Sequence, residues 1–130
     1  MATLATTTTL LTLFAEPTRL RLLALLGRQE LTVGELTAAV EVAQSRASTH
    51  LGKLREAGIV RDRRVGASTY YAIDEQSMSP DARTIWSQIA RRIEDGVLRA
   101  DRARAEELVE ARARAWPEGV AGQMERYYSP

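Results

Sequence analysis

Residues 43–60 read AQSRASTHLGKLREAGIV, and the spacing of their apolar positions decides how the rest of the chain is read. Ala47, Leu51 and Leu54 recur at intervals of four and three, which puts them on one face of a helix running from Gln44 to Ala57. Gly58 follows, a residue type that accepts the left-handed backbone where helices end. The opposite face carries Gln44, Ser45, Arg46, Ser48, Thr49 and Lys53, so this helix is expected to be apolar toward a core and polar toward solvent. Gly52 interrupts it at a cost of about 1 kcal/mol of helix propensity against Ala, with no evident purpose.

Working outward, Ile59–Val65 and Ser68–Ile73 are two β-prone runs around Gly66-Ala67, the pattern of a hairpin with a small tip. Upstream, Thr32-Val33-Gly34-Glu35 has the form of a capping box, and Leu36 and Val40 at helical spacing predict a short helix over about Val33 to Val40. Pro17 suits a first helical turn, and Leu20, Leu22, Leu23, Leu25 and Leu26 continue to a stop at Gly27. Residues 1–15, MATLATTTTLLTLFA, lack a basic leader region and a small-x-small cleavage site. They are read as a short apolar helix seeking a partner. Downstream, Ser79-Pro80-Asp81 opens a long helical segment whose Ile85, Trp86, Ile89, Ile93 and Val97 form one stripe. With so little chain left to cover it, that stripe, together with Leu10 and Phe14, predicts a homodimer interface. From Arg99 to Ala115 the helix is expected to continue, more exposed, until Pro117 and Gly119 stop it.

The chain has 130 residues, a size that suits one domain. The expected organisation is residues 1–98 as the main domain and residues 99–130 as a helical extension or connector. No apolar run reaches the roughly eighteen residues of a membrane span, and no membrane contact is expected. The chain has no cysteine, which excludes disulfides, thiol nucleophiles and thiolate metal sites and fits a cytoplasmic address. The net charge is only +1, yet between Gln44 and Thr69 six basic residues face only Glu56 and Asp62. A local positive excess of that kind points to a polyanion.

The predicted order of helix, helix, short helix, exposed polar helix, hairpin and long helix is that of a winged helix-turn-helix, mainly α with a small β-hairpin (α+β). A polar-faced helix fits the major groove and a basic hairpin beside it reaches phosphates. At this level LFAEPTRLRLLALL, ELTVGELTAAV, AQSRASTHLGKLREAGIV and RDRRVGASTYYAI resemble the ArsR/SmtB family of bacterial repressors over about residues 10–73. The resemblance implies a dimeric repressor on a pseudo-palindromic operator in double-stranded DNA. It implies that Gln44, Ser45, Arg46, Ser48 and Thr49 face base edges or nearby phosphates and that Lys53 meets the backbone. Arg46 is the choice for guanine, whose O6 and N7 a guanidinium bonds together. His50, the single histidine, is assigned to phosphate or to a structural hydrogen bond. Arg63, Arg64, Ser68 and Thr69 are assigned to wing contacts with phosphates, the alternative being a solvated charged hairpin.

Thr32 and Gly34 stand where thiolate metal sensors of the family carry C-V-C, and the later helical segment offers Asp81, Asp95, Asp101, Glu106 and Glu110 without a histidine. Neither a metal site, nor a cofactor, nor catalysis is therefore expected. Finally, DRARAEELVEARARAWPEGVAGQMERYYSP resembles the connector between an ArsR-type domain and an S-adenosylmethionine-dependent methyltransferase-like domain. That implies a second reading, a regulatory or dimerisation module of such a protein, with S-adenosylmethionine or S-adenosylhomocysteine as the organic effector of a further domain.

Overall fold

A computed structural model describes residues 2–114; Trp116, Met124, Tyr127 and Tyr128, with the rest of 115–130, lie outside the described residues. The apolar N-terminal stretch forms helix α1 (Leu4–Phe14), opened by Thr3, whose hydroxyl accepts from the Thr6 amide. Helix α2 (Pro17–Leu26) starts at the proline, with the Glu16 carboxylate accepting from the Arg19 amide. The capping box forms as expected. Thr32 Oγ1 accepts from the Glu35 amide at 3.1 Å and the Thr32 amide donates to Glu35 Oε1 at 2.9 Å, opening α3 (Val33–Val40). After a turn at left-handed Glu41 comes α4 (Gln44–Glu56), which buries Ala47, Leu51 and Leu54.

The hairpin pairs Val60–Val65 with Ser68–Ile73, and only the first residue of its tip, Gly66, has positive φ (61°), which matches the twist of the strands. A third strand was not expected. Leu31–Thr32, read in the sequence only as a helix cap, is a two-residue strand (β1) beside Tyr70 and Tyr71, so the sheet order is β1-β3-β2, with β2 and β3 the hairpin strands. Among the described residues no helix is long and apolar enough to cross a membrane.

The expected long helix is interrupted. It divides into α5 (Pro80–Gln88), a 3-10 turn (Ala90–Arg92) and α6 (Gly96–Arg114). Ile89 leaves helical geometry at φ −127°, and Asp95 Oδ1 accepts from the Leu98 amide at 3.0 Å, capping a new helix. The break turns α6 back over α2 and α3, and the apolar stripe does not survive as one surface. Trp86, assigned to a dimer interface, lies in the core of its own chain and donates from Nε1 to Glu75 at 3.1 Å. Gly27 is required there, since a Cβ would lie 2.8 Å from the Trp86 ring. Phe14 is likewise core. Ile89, Ile93 and Val97 stay 60%, 38% and 52% exposed.

The extension expected to be exposed carries a buried charge. Asp101 is fully buried on α6, and its carboxylate accepts from Arg21 Nε and Nη2 of α2 and from Arg104 Nη2, all at 2.8 Å. The same two guanidiniums donate onward to the Val40 carbonyl (2.9 Å) and the Ala39 carbonyl (2.7 Å) at the end of α3. A second linkage fixes α4 to the first two helices. Arg19 donates to the Leu13 and Thr12 carbonyls at the end of α1 and, from Nη1, to His50 Nδ1 at 3.0 Å. Arginine only donates, so Nδ1 accepts and the imidazole proton sits on Nε2, 3.5 Å from Glu16 Oε2.

Two predictions follow from these linkages. Asp101→Ala leaves two guanidiniums converging without an anion and is expected to cost about 3 kcal/mol, the low end for a broken buried pair because Arg21 and Arg104 are partly solvated. Urea unfolding measures this, with Glu110→Ala, which removes an exposed pair with Arg114, unchanged. For the second, burial pushes the His50 imidazole below its ordinary range, the nearby Arg19, Arg46 and Lys53 act the same way, and Glu16 opposes them. Burial raises the Glu16 carboxyl, but bonds from the Arg19 and Thr18 amides and the charges of His50 and Arg19 bring it below its usual value. Both groups bind fewer protons folded than unfolded, so both contributions are present at neutral pH and are lost on acidification. The His50 part declines below its unfolded value of 6.5 and the Glu16 part below 4.5. Urea midpoints taken from pH 7.5 to 5.5 are expected to fall in the parent and to stay flatter in His50→Gln.

Candidate nucleic-acid interface

The polar face of α4 is outward as the spacing required. Gln44, Ser45, Arg46, Ser48, Thr49 and Lys53 are all exposed. Thr49 donates its hydroxyl to the Ser45 carbonyl at 2.9 Å, leaving its methyl and oxygen lone pairs outward. Among the described residues the Arg46 side chain is held only by the Thr18 hydroxyl, at 3.4 Å, which leaves most of its donors for another partner. Nothing in the structure explains glycine at position 52, which has open space around it.

His50 turns the other way. Its ring accepts from Arg19 at Nδ1 and lies 3.5 Å from Glu16 at Nε2, the geometry of a structural hydrogen bond.

The wing residues are divided by strand alternation. Arg64 pairs with Thr69, and Asp62 with Tyr71, so these share the face that continues the core through Val60 and Ile73. That face looks toward α4, because Asp62 accepts from Arg55 of α4 at 3.0 Å. Arg64 and Thr69 therefore stand on the α4 side of the hairpin. Arg63 and Ser68 lie on the opposite face. There Arg63 is held by both oxygens of Glu30, at 2.8 and 2.6 Å, and stacks over Tyr70 with 5.0 Å to the ring centroid. Without DNA, the Arg63 guanidinium is matched by a carboxylate fork and a ring.

Of the six cations counted between Gln44 and Thr69, Arg55 and Arg63 are thus neutralised within the chain. Arg46, Lys53, Arg61 and Arg64 have no ion pair among the described residues, and Arg61 reaches only the Ile73 carbonyl at 3.5 Å. Two residues that position this face were not singled out in the sequence. Arg19 locks α4 to α1, and Arg55 locks α4 to the wing. The only signal available for them was an arginine in each of two helices otherwise read for apolar spacing.

Of the acidic residues weighed as metal ligands, Asp95 caps α6 and Asp101 is saturated by arginines. Among the described residues no group of three or more His, Asp or Glu is placed to hold a metal ion.

Comparison with known proteins gives the family. The model described as "Bacterial regulatory protein, arsR family" matches residues 16–62. The arsenic resistance transcriptional regulator ArsR1 of Pseudomonas putida is 50% identical over 60 residues, covering 45% of this chain and 47% of that protein. A transcriptional repressor SmtB homolog of Synechocystis is 48% identical over 59 residues, covering 45% of each. The chain thus spans about half the length of these curated relatives. Among solved structures, HlyU from Vibrio cholerae superposes with a TM-score of 0.56 at 32% identity, over 67% of this chain and 90% of that one. The homodimeric winged helix-turn-helix DNA-binding domain of Mb0332 from Mycobacterium bovis has a TM-score of 0.54 at 26% identity, over 64% of this chain and 73% of that one. With three antiparallel strands, a wing beside an outward polar helix and this match across most of a solved relative, the chain is a winged helix-turn-helix protein that belongs to the arsR family of bacterial regulatory proteins.

Proposed function

We propose that this chain is a sequence-specific DNA-binding transcriptional repressor that acts as a homodimer on a pseudo-palindromic operator in double-stranded DNA, in the cytoplasm. The observation that carries this is the placement of Arg46 and Lys53 on the exposed face of α4 with Arg64 and Thr69 on the side of the wing nearest it. In this reading α4 enters the major groove, where Arg46 bonds guanine and Gln44, Ser45, Ser48 and Thr49 contact base edges or phosphates. Lys53, Arg64 and Thr69 take the backbone. A relative named as a repressor and a structural neighbour described as a homodimeric DNA-binding domain support the direction of regulation and the assembly.

For the dimer surface the proposal takes apolar residues that the single chain leaves exposed. Phe14 and Trp86 are spent in the core, while Leu4 and Leu11 of α1 are 87% and 51% exposed. A groove between α1 and α5 is lined by Leu10, Leu11 and Ile85. We assign these, with Ile89, Ile93 and Val97, to the interface. Residues 1–98 carry binding and assembly in this reading, and 99–130 form an extension whose described part, 99–114, continues α6 on the same core. The reading is non-enzymatic. In this reading the chain is not a thiolate metal sensor, since it has no cysteine to bind a metal. A methyltransferase-like domain after the connector, with S-adenosylmethionine or S-adenosylhomocysteine as effector, belongs to a second reading carried by residues 99–130 alone.

For DNA binding, Arg46→Ala is expected to cost about 1–3 kcal/mol and relax preference at one base position. Arg64→Ala is expected to weaken all sequences alike and to flatten the salt slope by about one. Titration of a selected operator at several salt concentrations measures both, and parental binding by the two variants rejects the assignment. For assembly, Ile89→Asp with Ile93→Asp is expected to yield a folded monomer by sedimentation, because both side chains are exposed in the single chain. An unchanged dimer mass removes these residues from the interface.

A further inference from the structure

A pocket of about 260 Å³, away from the α4 face, opens between the end of α2, the 3-10 turn and the start of α6. It lies where the helix is interrupted between α5 and α6, with the edge of the buried Trp86 in its wall. Trp86 and Ile93 supply apolar wall. The polar lining is four arginines, Arg21, Arg28, Arg91 and Arg102, with two carboxylates. Both carboxylates are already matched: Asp101 accepts from Arg21 at 2.8 Å, and Glu94 accepts from Arg102 Nη2 at 2.9 and 3.0 Å. Arg28 and Arg91 are exposed and have no side-chain hydrogen bond or ion pair among the described residues. The pocket thus presents two unneutralised guanidiniums beside an aromatic ring, the complement of an oxyanion carried on a small apolar body.

We propose that this pocket binds a small organic anion, its carboxylate or phosphate held by Arg28 and Arg91 and its apolar part lying against Trp86 and Ile93. The volume falls just below the range of drug-sized sites, roughly 300–1,000 Å³, and suits a ligand of about one ring with one acidic group. The partnered arginines define the rest of the wall without competing for the ligand. One of them, Arg21, also holds the Val40 carbonyl ahead of the turn at Glu41, so the pocket shares a side chain with the support of the helix-turn-helix. The pocket shares Ile93 with the proposed dimer interface, but its binding is read at Arg28 and Arg91, so it stands or falls separately from the DNA-binding reading.

The test is titration of the full 130-residue chain with phenyl phosphate and with benzoate, read by the arginine Nε–Hε resonances. Saturable shifts at Arg28 and Arg91, with Arg46 and Arg64 still, are expected with at least one of the two, and whichever anion binds names the headgroup. Benzyl alcohol, the same ring without the charge, is expected not to bind. Arg28→Gln with Arg91→Gln is expected to weaken the bound anion about tenfold or more, and the fold is expected to persist because neither side chain is bonded to anything. Shifts at Arg46 or Arg64 in place of Arg28 and Arg91, equal binding of benzyl alcohol, parental affinity in the double variant, or no saturable shift with either anion each overturn the proposal.

Discussion

A carboxylate with no access to water survives only if its lone pairs are filled, and Asp101 is filled by two arginines whose remaining donors have a second use. The last carbonyls of a helix have no partner within it. At the end of α3, those of Ala39 and Val40 receive Arg104 and Arg21. One buried anion therefore holds two cations in place, and the cations terminate α3. Because α3 ends there, Glu41 can turn the chain through the left-handed conformation and release α4 at a fixed angle. The orientation of the exposed helix thus depends on a residue sixty positions downstream of the turn.

The face that α4 presents is held at several places along its length. Ala47, Leu51 and Leu54 seat it on the core, His50 ties its middle to Arg19 and so to the end of α1, and Arg55 ties its last turn to Asp62 of the wing. The wing has its own brace on the far side, where Tyr70 lies beside both Arg63 and Arg112 of α6, and Arg112 in turn meets Glu35 of α3. A surface restrained in this way loses little backbone entropy when it docks, so more of its contact energy remains for recognition.

What the sequence displayed well were features with short-range causes. The capping box at Thr32, the proline start at Pro17, the period of three and four in α4 and the Gly66-Ala67 tip each depend on residues within one turn of each other, and each formed. The features it hid depend on pairing across the chain. Leu31–Thr32 became a strand only because Tyr70 and Tyr71 offered an edge to it. Trp86 fell on the same helical stripe as Ile85 and Ile89, and nothing local distinguished a ring destined for Gly27 from one destined for a partner subunit. The restart at Asp95, which caps α6, was not read, because the apolar period runs through it on both sides. Arg21 and Asp101, eighty residues apart, had no signal at all. For the candidate site the legible part was the composition of one helix face; which cations were spoken for was not.

That last distinction alters what charge counting means for this molecule. Six basic residues between Gln44 and Thr69 gave a local excess that pointed to a polyanion, but two of the six are spent inside the fold, and both bonds have structural purposes. Arg55 to Asp62 joins helix to wing, and Arg63 to Glu30 braces the wing from behind. Of the four remaining, Arg46, Lys53 and Arg64 lie on α4 or on the wing face beside it, while alternation places Arg61 on the face of Arg63. The excess is smaller than the sequence count and more concentrated. Each phosphate neutralised by a cation changes the salt slope by about one, so in the proposed reading these few cations per chain constitute a modest electrostatic attraction. In the proposed reading selectivity then comes from Arg46 on guanine together with the neutral donors and acceptors beside it, Gln44, Ser45, Ser48 and Thr49, which have no long-range field and act only when the helix is already seated.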